Sequence, residues 1–368
     1  MKVIIQTILP SPYRVDFFNE LGKRCELTVI FEGHRPNNGR QYDWRDERQG
    51  DHFRAIYLED IYNEKRVKHK IFSHFLSNEY DIRLIMCYHT TTAMLLIALL
   101  KLCGKSYLIE SDGAMINPAE SRIKRWIKSA TLSGAKGYLS SGKSTDDYFR
   151  LYAHTDEERI YRYRFTSTKR ESLPHSPYSK AQKRVIKERL GIKYDRVIIS
   201  VGQYIHRKGY DLLLKSLDWL PDDVGVYLIG GVESGEYREI RKSLKLQNIH
   251  YLEFMSSQRL AEYYKMADLF VLPTREDIWG LVINEAMSYG LPVITTDRCL
   301  GGVELLDGVE GAIVHSEDIS ALRDSTKGYM ESDKKRMAVA ARNLRVVREH
   351  CIDNMADDHI QIFTKQNL

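Results

Sequence analysis

Residues 197–296 constrain this chain most, because short runs of β-branched and other apolar residues alternate there with helical patterns. Val197–Val201, Val226–Ile229, His250–Phe254, Leu269–Leu272 and Val293–Thr296 read as strands. Asp211–Leu220, Tyr237–Leu246, Gln258–Met266 and Leu281–Tyr289 carry apolar residues at helical spacing and read as the helices between them. Continuous apolar runs belong to strands buried on both faces, and such strands separated by helices form a parallel, doubly wound sheet.

The first half repeats the theme. Val3–Leu9, Leu27–Phe31, Ala55–Leu58, Ile82–Cys87, Tyr107–Glu110 and Tyr138–Ser140 read as strands, and Val15–Cys25, Lys68–Asn78, Thr92–Cys103, Ala119–Leu132 and Thr145–Tyr152 as helices. At 368 residues the chain exceeds what one hydrophobic core usually serves, and with 43% hydrophobic residues it can bury two. Thr166–Ser179, polar and holding Pro174 and Pro177, reads as a linker. The expected division is an N-terminal domain over 1–172, a C-terminal domain over 173–345, and a helical tail over 346–368 packing back on the first domain. Two Rossmann-like sheets facing a cleft follow, with ligands at the carboxyl ends of the strands.

A net charge of +5 is mild; it suits phosphorylated substrates or an anionic membrane surface rather than tight nucleic-acid binding. The five cysteines (Cys25, Cys87, Cys103, Cys299, Cys351) form no C-x-x-C pair, which predicts a reducing compartment and no zinc site. Met1–Ile5 runs straight into a strand without signal-peptide design. The longest apolar run, Ala93–Cys103, is too short to span a bilayer and reads as a buried helix. A cytoplasmic protein is expected.

Gly137-Tyr-Leu-Ser-Ser-Gly142-Lys143-Ser144 matches the phosphate-loop pattern, but no apolar strand precedes Gly137. Tyr138 and Leu139 put the strand inside the would-be loop, so the match is a coincidence.

Two other constellations carry chemistry. In Ser200-Val-Gly202-Gln203-Tyr-Ile-His206-Arg207-Lys208-Gly209 a strand ends at Gly202, and Arg207 and Lys208 bring cations to the mouth of the sheet, where a diphosphate would fit. The alternative is a solvated loop with two surface charges. In the second, a strand ends at Pro273 and a helix begins near Gly280, so the amides of Gly280, Leu281 and Val282 are free to meet a phosphate. Asp277 precedes that helix and Glu285 lies about one and a half turns into it, so both carboxylates can face one ligand. A cap role would explain Asp277 alone, but not Glu285 followed by Ala286-Met287-x-x-Gly290-x-Pro292-Val293.

Together these motifs, from about residue 196 to 315, resemble the donor-binding domain of retaining family 4 glycosyltransferases of the GT-B fold, bacterial surface-polysaccharide type. The hallmark is an acid, seven residues, then Glu, followed by A-M-x-x-G-x-P-V, with an upstream V-G-x…K-G loop. A downstream Gly301-Gly302-Val303-Glu304-Leu305 turn and a Gly311–Val314 strand also fit. The resemblance implies that Lys208 binds the diphosphate of a nucleotide sugar (UDP or GDP), Glu285 the ribose hydroxyls, and Asp277 the transferred hexose. Gly202, Gln203, Arg207, Trp279, Gly280, Leu281 and Val282 complete the expected donor contacts. This chain departs from the pattern twice: Asp277 stands where Glu is usual, and Gln203 where Arg is frequent, so Arg207 would supply that charge.

In the first half, Pro10-Ser11-Pro12-Tyr13-Arg14 follows the first strand, and the resemblance makes Tyr13 and Arg14 acceptor or phosphate contacts. Asp112 lies near where relatives carry a His beside the transferred sugar, and His89 is a second candidate. Capping or turn roles remain open for each. The implied reaction is retaining hexosyl transfer to a saccharide or lipid-linked saccharide, with Lys208, Asp277 and Asp112 catalytic and no cofactor. No D-x-D pair ends a strand, so no obligatory metal is expected. A nucleotide-sugar epimerase of the same architecture, or a non-catalytic nucleotide-sugar-binding protein, is the alternative. Finally, Ile123, Trp126, Ile127 and Ala130 share one helical face flanked by Arg122, Lys124, Arg125 and Lys128. That face either packs on the sheet or lies in a membrane interface, the latter making the protein peripheral on the inner leaflet.

Overall fold

Strands that are apolar on both faces need cover on both. In the computed structural model, which describes residues 1–36 and 51–367, they form the centres of two all-parallel sheets. The chain divides into two units, Met1–Ser167 with His350–Leu368, and Thr168–Glu349.

The first unit runs β1 (Lys2–Thr7), α1 (Pro12–Gly22), β2 (Glu26–Phe31), β3 (Arg54–Tyr57), α2 (Lys70–Leu76), β4 (Ile82–Ile85), α3 (Thr91–Leu102), β5 (Leu108–Ser111), α4 (Arg122–Leu132), β6 (Gly137–Ser140), α5 (Lys143–Ala153) and β7 (Ile160–Arg162). Its seven strands pair in the order β3-β2-β1-β4-β5-β6-β7. Chain direction across the sheet reverses between β1 and β4, which leaves an opening at their carboxyl ends. The phosphate-loop match dissolves here: β6 occupies its first four residues, and the Lys143 ammonium is exposed and pairs with Asp147 at 3.2 Å.

The second unit runs α6 (Lys180–Arg189), β8 (Arg196–Val201), α7 (Tyr210–Lys215), β9 (Val224–Ile229), α8 (Gly235–Ser243), β10 (Ile249–Leu252), α9 (Ser257–Met266), β11 (Leu269–Leu272), α10 (Leu281–Ser288), β12 (Val293–Thr296), α11 (Leu300–Leu305), β13 (Ile313–Val314), α12 (Ile319–Glu331) and α13 (Asp333–Glu349). The sheet order is β10-β9-β8-β11-β12-β13, with its reversal between β8 and β11. After α13 the chain returns to the first unit as α14 (Ile352–Asn367), which packs on α1. Met355, Ile362 and Phe363 are buried there, each contributing about 1.5–3 kcal/mol of apolar burial.

Several elements differ from the sequence reading. The expected 211–220 helix stops at Lys215; Leu217 and Leu220 continue as turns ahead of Pro221. Gly301–Leu305 is helix rather than turn. The glycines serve close approach: a Cβ on Gly301 would meet the Trp279 carbonyl oxygen at 2.4 Å, and one on Gly302 the Thr295 Cγ2 at 2.4 Å. The helix α4 starts at Arg122, where the Ser121 hydroxyl accepts from the Lys124 amide. The 93–103 run is a helix whose inner face alone is buried, since Leu95 and Leu102 are exposed. The sequence reading also missed β7, α6 and α12.

Candidate active site

In the second unit the carboxyl ends of β8 and β11 each deliver a loop, and the two loops are stitched together. The Arg275 amide donates to the Arg207 carbonyl at 2.8 Å, and the Thr274 hydroxyl donates to the same oxygen at 2.9 Å. In return the Arg207 guanidinium donates to the Glu276 carbonyl at 2.6 Å. This closeness requires glycine at 209, whose φ of +69° is left-handed and whose Cβ would lie 2.0 Å from the Pro273 carbonyl oxygen. Arg275 braces the assembly, donating in a fork to both Asp211 carboxylate oxygens at 2.7 and 2.8 Å.

The bracing sets Lys208 against Asp277. The Lys208 Nζ donates to Asp277 Oδ2 at 2.5 Å, both side chains being mostly buried, and the exposed Arg207 guanidinium stands 3.9 Å from Asp277 Oδ1. Backbone bonds hold Asp277 from both sides: its amide donates to the Arg298 carbonyl, and its carbonyl accepts from the Leu300 amide. Gly280, with φ of +78°, caps α10 and accepts from the Ile283 amide at 2.8 Å, while the Leu281 and Val282 amides come too early in the helix to have an intrahelical carbonyl one turn back. Here lies an ammonium, a guanidinium and a helix N-terminus within a few residues, the equipment for an anion with two charged groups.

Glu285, on α10, accepts from the Tyr264 hydroxyl at 2.9 Å. Burial pushes its carboxyl up to about 7, and the tyrosine bond only partly opposes this. Tyr264 is fully buried and stacked on Tyr289 at 5.4 Å, so the carboxyl is held at a fixed position. Gln203 is exposed on the β8 loop, and Gly202, Leu281 and Val282 are partly exposed. Trp279, expected among the donor contacts, is instead buried as a wedge: its indole N–H donates to Asn284 Oδ1 at 2.8 Å and its ring packs under Gly301. It shapes the loop and offers little surface to a ligand.

In the first unit a second polar cluster forms at the carboxyl ends of β1 and β5. Arg14 is buried on α1 and donates to Glu110 Oε1 at 3.2 Å and to Asp112 Oδ2. Tyr163 donates to Asp112 Oδ1 at 3.0 Å. From α14, the fully buried His359 places Nε2 at 3.1 Å from Glu110 Oε2 and Nδ1 at 2.7 Å from the Met355 carbonyl. Burial alone would raise the Glu110 carboxyl, but His359 and Arg14 outweigh it and hold the group below its ordinary range. At Asp112 burial wins over Arg14, and the carboxyl is raised.

These contacts revise the reading of Arg14. Its guanidinium is buried between Glu110 and Asp112 and pairs with both, so it positions Asp112 rather than reaching an acceptor phosphate. Tyr13 is partly exposed, edge-on to Phe165 at 6.0 Å. His89 lies exposed on the turn after β4, its ring edge-on to Tyr88. Sequence reasoning missed Arg275, Tyr264, Glu110 and His359; no spacing marks them, because each partner is remote in the chain. A cavity of about 1090 Å³ at the opposite, amino ends of β8 and β11 is lined by Lys183, Lys187 and Asp268, whose carboxylate pairs with the two ammonium groups at 2.9 and 3.0 Å. Among the described residues no group of three His, Cys, Asp or Glu side chains is placed to hold a metal ion.

Residues 182–345 match the family model described as glycosyl transferases group 1. Among curated proteins, D-inositol 3-phosphate glycosyltransferase of Xylanimonas cellulosilytica is 28% identical over 214 residues, covering 55% of this chain and 50% of the relative. The lipopolysaccharide core biosynthesis mannosyltransferase LpsB of Rhizobium meliloti is 30% identical over 153 residues, 39% of this chain and 43% of that protein. The chain thus spans half or less of the length of these relatives. Among solved structures, Anabaena HepE in complex with UDP superposes with a TM-score of 0.77 at 14% identity, covering 99% of this chain and 100% of that one. A sucrose-phosphate synthase from Thermosynechococcus elongatus gives 0.75 at 16% identity, over 99% and 98% of the two chains. At such identities the superpositions establish the fold, and the sequence match establishes the domain. Residues 182–345 are thus similar to the group 1 glycosyltransferases, in a chain whose two parallel sheets have the GT-B fold.

Proposed function

We propose that the protein transfers a hexose from a nucleoside diphosphate sugar, with retention of configuration, to a saccharide or lipid-linked saccharide. The observation that carries this reading is the Lys208–Asp277 pair beside the N-terminus of α10. An incoming diphosphate takes over the Lys208 ammonium, with Arg207 and the first-turn amides of α10 stabilising the charge that grows on the departing group. Asp277, released from the lysine, accepts a hydroxyl of the hexose, and Glu285 accepts the ribose hydroxyls. No side-chain nucleophile is required: the acceptor oxygen bonds the anomeric carbon on the face the phosphate leaves, and its proton passes to the leaving phosphate oxygen. Asp112, oriented by Arg14 and Tyr163, is the carboxylate that the first unit offers to a sugar hydroxyl. Similarity to a named mannosyltransferase and to a UDP complex supports a nucleotide-sugar donor. The protein would work at the cytoplasmic face of a membrane without crossing it; among the described residues no helix is long and apolar enough to do so.

The test is Lys208→Ala. It should lower affinity for nucleoside diphosphate roughly tenfold to a hundredfold, the loss of a charged hydrogen bond, and lower the thermal midpoint because the mostly buried Asp277 loses its ammonium partner, while the protein stays folded. Full transfer activity in this variant would refute the donor-loop assignment. Failure of the native protein to release nucleoside diphosphate when acceptor is added would favour a non-catalytic binding protein.

A further inference from the structure

Two helices of the first unit leave apolar faces bare. Along α3, Leu95, Ala98, Leu99 and Leu102 form one stripe by their spacing. Leu95 is 46% and Leu102 85% exposed, while Ala93, Leu96, Ile97 and Leu100 on the other side enter the core. On α4, Ile123, Trp126, Ile127 and Ala130 form a second stripe, with Ile123 72% and Trp126 70% exposed. The two helices meet, as the Lys101 ammonium on α3 donates to the Ala130 carbonyl near the end of α4 at 2.6 Å. Only Leu132 of α4 is buried. The helix rides on α5 through Lys128, which lies over the Tyr148 and Tyr152 rings and pairs with Glu120 at 2.5 Å. Packing on the sheet is therefore not what the apolar face of α4 does.

The rim of this surface carries one sign of charge. Arg122, Lys124 and Arg125 are exposed, and neither α3 nor α4 contains an Asp or Glu. Exposed apolar stripes rimmed by cations match the boundary between anionic headgroups and acyl chains. A second copy meeting this face would set cation against cation.

We propose that α3 and α4 together dock the protein on an anionic bilayer, with Leu102, Ile123 and Trp126 at the acyl boundary and Arg122, Lys124 and Arg125 on lipid phosphates. This deepens the reading of a lipid-linked acceptor, which would be met at that surface: residues 113–121 lead directly from Asp112 to α4. The docking itself requires no sugar substrate.

The experiment is flotation with phosphatidylglycerol–phosphatidylcholine vesicles, with tryptophan emission recorded alongside. The native chain should float at low salt with a blue shift in emission that Trp126→Phe removes. Lys124→Glu with Arg125→Glu, Leu102→Glu with Trp126→Glu, or salt raised to about 0.5 M should each weaken binding by about tenfold or more. Binding of UDP or GDP, whichever the native chain takes, and the far-ultraviolet circular dichroism spectrum serve as controls for folding and should be the same in all variants. Absence of flotation at low salt, undiminished flotation of both double variants, or a dimer in sedimentation that Leu102→Glu with Trp126→Glu dissolves would each overturn the proposal. Native protein that floats but binds neither UDP nor GDP would instead count against the transfer reading and leave the docking intact.

Discussion

Glu285 is the residue whose protonation reports most directly on the site. Its carboxyl, raised from 4.5 to about 7 by burial, keeps its proton in the folded protein over a range where the unfolded chain has lost it. The native state then binds more protons than the unfolded one, so this group makes stability fall as pH rises from about 4.5 to about 7, and level off above. Glu285→Gln, which preserves an acceptor for Tyr264, should stabilise the free protein by up to about 3 kcal/mol at pH 8 and leave it unchanged at pH 4, as urea unfolding would show. Ribose hydroxyls donate to the ionised form, so nucleoside diphosphate should bind more tightly as pH climbs through 7 and release a proton on binding. Calorimetry in two buffers of different ionisation enthalpy measures that release. Equal heats in both buffers, or the same pH dependence in Glu285→Gln, would remove the ribose role.

At the scale of elements, α14 decides how the first unit is completed. It lies at the end of the chain, yet it buries Phe363 and brings His359 to Glu110 beneath α1 and β5. The Arg164 guanidinium binds the Asp358 carboxylate at 2.8 Å through Nε, and Arg24 binds Asp357 at 2.6 Å, which fixes the register of the docked helix. His359→Leu retains apolar contact with Phe17 and Tyr163 but deprives a fully buried carboxylate of one partner. A loss of about 1–3 kcal/mol at neutral pH is expected. Because the Glu110 carboxyl is held below its ordinary range, its stabilisation is present above that range and is lost as pH falls through the lowered value. The deficit of the variant should therefore shrink in acid, and a deficit that is the same at pH 7 and pH 3.5 would show that the pair with Glu110 contributes nothing.

For the molecule as a whole, the charges that would meet a diphosphate are supplied by Lys208, Arg207 and the start of α10, and turnover is expected to continue in excess chelator. Loss of activity in chelator, restored by a divalent cation, would mean that the acidic positions hold a metal in the working enzyme.

How far the chain could be read without coordinates follows from the range of the interactions involved. Both parallel sheets were readable because strands buried on two faces are nearly continuous apolar runs, a local property that Leu269–Leu272 displays in full and Val197–Val201 with Ser200 as its one polar residue. The loops after β8 and β11 were readable because glycines at 209 and 280, and acids at 277 and 285, lie in two short contiguous segments. Weakly patterned elements escaped: in α6 the apolar residues are few and Val185 faces solvent, and β7 is a three-residue edge strand. Side-chain partnerships escaped for another reason. Arg275 with Asp211, Tyr264 with Glu285, and Glu110 with His359 pair across 64, 21 and 249 residues, distances at which no sequence pattern is imposed. The sequence by itself determined most strands and helices of the two sheets, and it gathered the glycines and acids of the β8 and β11 loops into two short segments, since those depend on neighbours in the chain. Tertiary structure alone decided that Arg14 is a counter-ion, that Trp279 is a wedge and that the apolar faces of α3 and α4 stay open. Each of these depends on what distant chain segments leave buried, paired or uncovered.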